Sequence, residues 1–122
     1  VAVTGVQTCA LPISFRSGIT GMDRHGLESP QSLAAVLARH PQVERIVCGH
    51  LHRSISTKLG AVPVTVCPSP AHQITLDMAA DARASFVMEP PGYQLHLWSA
   101  GAGLVTHTVP IGTFAGPYGF GG

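Results

Sequence analysis

The chain has 122 residues, 45% hydrophobic and 11% charged, which is enough for one domain with a modest core and too apolar for a disordered tail. Its net charge of +1, with histidines neutral, supplies no basic field for nucleic acid and no acidic tail. No run reaches the roughly 18 apolar residues that a membrane helix needs, so neither nucleic acid nor membrane is expected as a partner.

Three cysteines are too few, and odd in number, for a disulfide framework. A reducing compartment follows as the expectation, and with it a cytoplasmic location. No secretory leader is expected, because the first residues lack a basic start and a small-residue cleavage site. The seven histidines outnumber any single acidic or basic residue type. Histidine is the commonest metal ligand and titrates near neutral pH, so the excess directs attention to a site.

In chain order, residues 3–13 (VTGVQTCALPI) resemble the in-frame translation of a common short-read sequencing adapter. Residues 1–14 are therefore set aside as a non-native segment. Cys9 then carries no redox meaning, and the expected native portion begins near Ser14 with its upstream part missing. Residues 15–23 (FRSGITGMD) hold two glycines and polar turn residues and are expected to form a loop. Ser29-Pro30 supplies a capping residue and a proline suited to the first helical position. Leu33, Val36 and Leu37 follow at helical spacing, and His40-Pro41 ends the element. This single helix is expected to cover a sheet.

Residues 43–48 (VERIVC) predict a buried strand ending at Gly49. Strands are also predicted over 55–59, 62–67, 73–78, 85–89, 93–99 and 104–109, separated by turns at Gly60-Ala61, Pro90-Pro91-Gly92 and residues 101–103. Pro63 within 62–67 predicts an edge position or a strand start. Residues 112–122 form a glycine-rich tail. One helix followed by many antiparallel strands indicates part of a layered α/β sandwich.

The chemistry concentrates in residues 48–53, Cys48-Gly49-His50-Leu51-His52-Arg53. A strand runs into glycine, which lets the backbone turn sharply. Ligands of α/β sheets gather beyond the carboxyl ends of strands. Two imidazoles at i and i+2 on a bent loop can face one ion or two neighbouring ions, each through a neutral nitrogen.

The run CGHLHR resembles the closing Gly-His-x-His motif of calcineurin-like metallophosphoesterases. Residues 15–23, 68–73 (PSPAHQ), 89–98 (EPPGYQLHLW), 104–107 (LVTH) and 116–120 (GPYGF) resemble, in order, the bacterial cyclic-nucleotide and glycerophosphodiester phosphodiesterase branch of that family. The resemblance implies an α/β fold, with this chain the C-terminal part of a four-layer α/β-β/α sandwich, the portion 15–111 belonging to that domain. It implies a small phosphodiester substrate, cyclic nucleotide or glycerophosphodiester, and two metal ions such as iron, manganese or zinc. In the family these ions activate water for in-line attack on phosphorus. His50 and His52 are implied as metal ligands, one to each ion.

Arg53 and His72 are candidates for substrate contact, and so is Asp23, although an aspartate there also suits a loop or cap. His96 and His107 are expected at the surface or an interface, Tyr93 and Trp98 are expected to pack the C-terminal sheet, and the resemblance implies homo-oligomer contacts through those strands. Of the family's remaining ligand motifs, Gly-Asp and Gly-Asn-His are absent from the chain, and the spelling Asp-x-His occurs once, at residues 23–25, at the end of the stretch expected to be a loop. Two histidines without carboxylates leave the repulsion between two close cations uncompensated. No residue of this chain is therefore assigned as catalytic, and the chain by itself is expected to be inactive. Two other readings stay open: a structural zinc module of Cys48, His50, His52 and Cys67, and a β-rich interaction piece acting through exposed strand edges.

Overall fold

The computed structural model describes residues 13–24, 26 and 29–121, so the adapter-like text up to residue 12 lies outside the described residues. Ile13 and Ser14, the last two residues of the segment set aside above, are both buried.

The described chain is mostly strand, with two short helices. Helix α1, Thr20–Asp23, is a single turn inside the stretch expected to be a loop. The expectation of one helix is corrected on this point. Its cause is tertiary contact: Ile19 and Met22 are buried in the core, and the helical turn carries Gly21 hard against residues 83–84. A Cβ on Gly21 would collide with the backbone of Arg83 and Ala84. Helix α2, Pro30–Leu37, begins at proline as expected. It has no buried residue, and Val36 is 42% exposed. Its apolar stripe is thus not covered by a sheet within the described residues, contrary to the expectation of a packed helix.

Strands β1 (Ile46–Cys48), β2 (Ile55–Leu59) and β3 (Val62–Val66) form one sheet in the order β1-β3-β2. The β1–β3 pair is parallel and the β2–β3 pair antiparallel. β2 and β3 are joined at Gly60-Ala61, with Gly60 at φ 59°. A positive φ at the first central residue is the geometry of a type II′ hairpin turn, which glycine adopts without a Cβ penalty.

Rich in β-branched residues suited to the pleat, β3 is the central strand. Pro63 was expected at an edge or a strand start, and it is the second residue of β3. Pairing of β1 with β3 starts one residue later, at Ile46↔Val64, so Pro63 faces only Lys58 of β2. Its missing N–H therefore costs no ladder bond on the β1 side. β1 itself was expected to be buried, but Val47 is 40% exposed. β1 has β3 as its one neighbour among the described residues, so one of its flanks is uncovered.

Two further pairs complete the chain. β4 (Gln73–Ile74) and β5 (Phe86–Val87) pair antiparallel over two residues each, far shorter than the 73–78 and 85–89 expected. The segment between them departs from the ladder and carries Ala82 into a buried position. β6 (Gly92–Ser99) and β7 (Gly103–Pro110) form a regular antiparallel hairpin, within a residue of prediction at each end. Residues 112–121 continue without helix or strand and expose Phe114, Tyr118 and Phe120.

The core comprises Ile13, Ile19, Met22, Leu51 and Val66, with Phe15, Cys48, Ile55 and Ile74 packed against it. It lies directly under the turn that carries the two histidines.

Candidate metal centre

Cys48 ends β1, and its carbonyl still accepts the Cys67 N–H at 2.8 Å. The chain then reverses. Leu51 N–H donates to the Gly49 carbonyl at 2.9 Å, closing a three-residue turn with His50 at its apex. His50 has φ 71° and His52 has φ 48°. Left-handed backbone is uncommon for residues with a Cβ and costs of order 1–2 kcal/mol each, so the surroundings must hold it. Leu51 does so: it is fully buried in the core. The side chain between the two histidines is thereby driven inward, while His50 stays at the surface and His52 is left half-buried.

His50 is exposed, and His52 is half-buried. The His52 ring lies 4.8 Å from that of His72, tilted by 57°. His72 in turn lies 4.8 Å from Phe86, tilted by 52°. Burial holds the His52 imidazole below its ordinary pKa of 6.5, aided by repulsion from His72 and His50 and opposed by the backbone of His72. The neutral form so favoured is the one that binds a metal. His52 Nδ1 is buried and has no hydrogen-bond partner among the described residues. A buried nitrogen without a partner is costly unless something else satisfies it.

His72 is delivered by a tight loop that spacing alone does not reveal. Gln73 is buried, and its amide bonds the Ser69 backbone twice: Nε2 donates to the Ser69 carbonyl at 2.8 Å, and Oε1 accepts from the Ser69 N–H at 3.1 Å. The Ser69 hydroxyl accepts the Ala71 N–H at 3.0 Å. Gln73 and Ser69 thus position His72, and Phe86 supports it. None of the three stands out in the sequence, because a buried amide partner is defined by the loop it closes.

The Arg53 guanidinium is engaged inside the molecule. Nη1 donates to the Ile74 carbonyl at 2.6 Å and to Glu89 Oε2 at 2.9 Å. A cleft of about 330 Å³ opens beside this pair, with Gln73, Pro91 and Thr108 among its walls. Asp23, the third substrate-contact candidate, folds back on its own loop. Oδ1 accepts from the Ser17 N–H at 2.8 Å and the Ser17 hydroxyl at 2.7 Å, and Oδ2 accepts from the Gly18 N–H at 2.9 Å. Burial alone would raise the Asp23 pKa; the bonds from Ser17 and Gly18, with the charge of Arg16, hold it below its ordinary 3.8. Both of its oxygens are occupied in shaping the loop.

The zinc-module reading fails on geometry. Among the described residues no three His, Cys, Asp or Glu side chains come together as a metal-ligating group. Burial pushes both the Cys48 and Cys67 thiols up. The residues fit a metal as part of a donor set: two imidazoles on one turn, His50 exposed and His52 half-buried with a buried nitrogen lacking a partner among the described residues.

Relatives carry the same stretch of chain. A probable glycerophosphodiester phosphodiesterase GpdQ of Arcobacter nitrofigilis is 46% identical over 104 residues, 84% of this chain and 38% of that protein. A probable cyclic nucleotide phosphodiesterase of Rhodopseudomonas palustris is 33% identical over 79 residues, 65% of this chain and 29% of that protein. A glycerophosphodiester phosphodiesterase GpdQ of Enterobacter lignolyticus is 29% identical over 101 residues, 83% of this chain and 36% of that protein. The chain thus spans from 29% to 38% of the length of these curated relatives. No family model matches it. With nearly half its aligned residues shared with one of these proteins, and with two others of the same naming aligned as well, the chain belongs to the family of bacterial glycerophosphodiester and cyclic nucleotide phosphodiesterases.

Proposed function

We propose that the whole protein to which this chain belongs is a metallophosphoesterase of calcineurin-like type, with a four-layer α/β sandwich, that hydrolyses a small phosphodiester, a cyclic nucleotide or a glycerophosphodiester. The observation that carries the reading is the turn after β1. Two histidines are held in left-handed backbone by a fully buried Leu51 between them, a strain that structure retains where a side chain must be aimed.

In this reading His50 and His52 hold the two metal ions, one each, and further ligands come from outside this chain. Such ions supply Lewis acidity toward the phosphate oxygens and lower the pKa of water. In the same reading His72 meets substrate, which its position beside the turn supports, its ring lying between those of His52 and Phe86. The chain alone is inactive, because among its described residues no third ligand accompanies the pair. The cysteines Cys48 and Cys67 are free thiols, in keeping with a reducing, cytoplasmic setting.

Self-association through the C-terminal strands belongs to the same proposal. The outer face of the β6–β7 hairpin shows Tyr93, Leu95, Leu97 and Val105 to solvent, an apolar patch of the kind that a partner covers.

The test is hydrolysis of bis(p-nitrophenyl) phosphate by the full-length product of the gene, loaded with Mn²⁺. His50→Ala and His52→Ala are each expected to lower the rate by at least about 100-fold. Unchanged hydrolysis in either variant refutes the assignment of that histidine, and hydrolysis by the isolated 122-residue chain above a His50→Ala control refutes its inactivity.

A further inference from the structure

We infer that Arg53 is a positioning residue, which through Glu89 and the Ile74 carbonyl holds the His52 ring against that of His72. Arg53 follows His52 directly, and its side chain is only 17% exposed. One guanidinium nitrogen, Nη1, reaches two acceptors on different segments: the Ile74 carbonyl of β4 at 2.6 Å and the Glu89 carboxylate beyond β5 at 2.9 Å. Ile74 stands two residues after His72 and pairs with Phe86 across the β4–β5 ladder. Phe86 packs on His72, and His72 packs on His52. The contacts therefore form a closed ring, running from His52 through His72, Phe86 and Ile74 to Arg53 and back along the chain to His52.

His52 needs such a device. Its Nδ1 makes no hydrogen bond among the described residues, and its backbone is left-handed. The β4–β5 ladder is only two residues long on each side, and neither it nor the Gln73–Ser69 bonds that shape the loop around His72 tie that loop to the turn carrying His52. A bond from a charged donor that joins both segments to the turn supplies what the ladder lacks. The inference rests on the proposed metal site only for its consequence, which is that groups orienting a ligand tune metal affinity about 10- to 100-fold.

The test separates the two. In the 122-residue chain with isotope-labelled histidine, centroids 4.8 Å apart place the His52 and His72 ring protons within range of a nuclear Overhauser effect. Arg53→Ala is expected to abolish that cross-peak while the Val64 and Val66 methyl shifts, which report the core, stay in place. Arg53→Lys, which keeps the charge but not the fork, is expected to restore only part of it. A cross-peak that survives Arg53→Ala overturns the inference. If Arg53→Ala does not fold, Glu89→Gln decides: it leaves the Ile74 bond intact and is expected to weaken the cross-peak, and an unchanged cross-peak overturns the inference. Co²⁺ binding is then read on the full-length product of the gene carrying the same substitutions. Loss of the cross-peak together with a tenfold or greater loss of Co²⁺ affinity supports both readings. Loss of the cross-peak while the unsubstituted full-length product takes up no Co²⁺ supports the positioning role and counts against the metal site.

Discussion

Leu51, in the turn after β1, is fully buried and has a histidine on either side, whereas in the β6–β7 hairpin Leu95 and Leu97 are 47% and 52% exposed. There the polar face turns inward. Gln94 Nε2 donates to the Val66 carbonyl at 3.2 Å, Arg45 Nη1 donates to the Thr106 hydroxyl at 2.8 Å, and His96 Nδ1 lies 2.9 Å from that hydroxyl. Trp98 Nε1 adds a bond to Glu44 at 2.9 Å. The two regions show that an apolar residue between polar neighbours has no fixed meaning. In the turn the leucine is the anchor and the polar groups are presented; in the hairpin the polar groups are the anchors and the leucines are presented. The docking role proposed for the hairpin and the ligand role proposed for the turn both rest on what each leaves facing outward.

The largest test of this contrast is a pair of truncations. Leu51→Ala is expected to cost about 2–5 kcal/mol, the range for deleting a fully buried leucine. Leu97→Ala is expected to stay within about 0.5 kcal/mol in the dissociated chain, as substitutions outside the core do. Urea unfolding at low protein concentration checks both, and comparable losses at the two sites would erase the distinction. The same Leu97 variant at high concentration sharpens it, since weaker association in sedimentation is expected if the hairpin face is the self-association surface.

A smaller effect concerns the strain in the turn. His50→Gly relieves a left-handed backbone at an exposed site and is expected to stabilise the chain by about 0.5–1 kcal/mol relative to His50→Ala, which keeps the Cβ. Equal stability of the two variants would show that the φ of 71° stores nothing.

The smallest expected effects are pH-dependent. Burial, followed by the charge of Arg45, holds His96 below its ordinary 6.5. The unfolded chain then binds the proton more readily, so this contribution to stability is complete above 6.5 and is lost as pH falls through the lower folded value. His96→Gln is expected to flatten the fall in urea midpoint between about pH 7 and pH 5. Asp23 acts in the same sense lower down, with its contribution complete above 3.8 and lost as pH falls through its depressed folded value. Asp23→Asn is expected to remove that later step while leaving the earlier one.

The sequence by itself determined the elements whose signal is local. Pro30 starts α2, Gly60-Ala61 joins β2 to β3, and the alternation over 93–99 and 104–109 predicts β6 and β7 nearly to the residue. It also singled out His50 and His52, because two imidazoles after a strand and a glycine are visible as text. What depends on non-local contact was decided by the tertiary structure. α1 forms because Ile19 and Met22 are buried, and β4 and β5 stop after two residues because the chain leaves the ladder. Pro63 stands in a central strand because β1 begins pairing one residue beyond it. The inward face of the hairpin followed from Glu44, Arg45 and Val66 lying opposite it, since a period of two does not say which side is inside. The partners of Arg53 and the loop that delivers His72 belong to the same class. Glu89 lies far along the chain from Arg53, and only folding, which brings distant segments within hydrogen-bond reach, could make them neighbours.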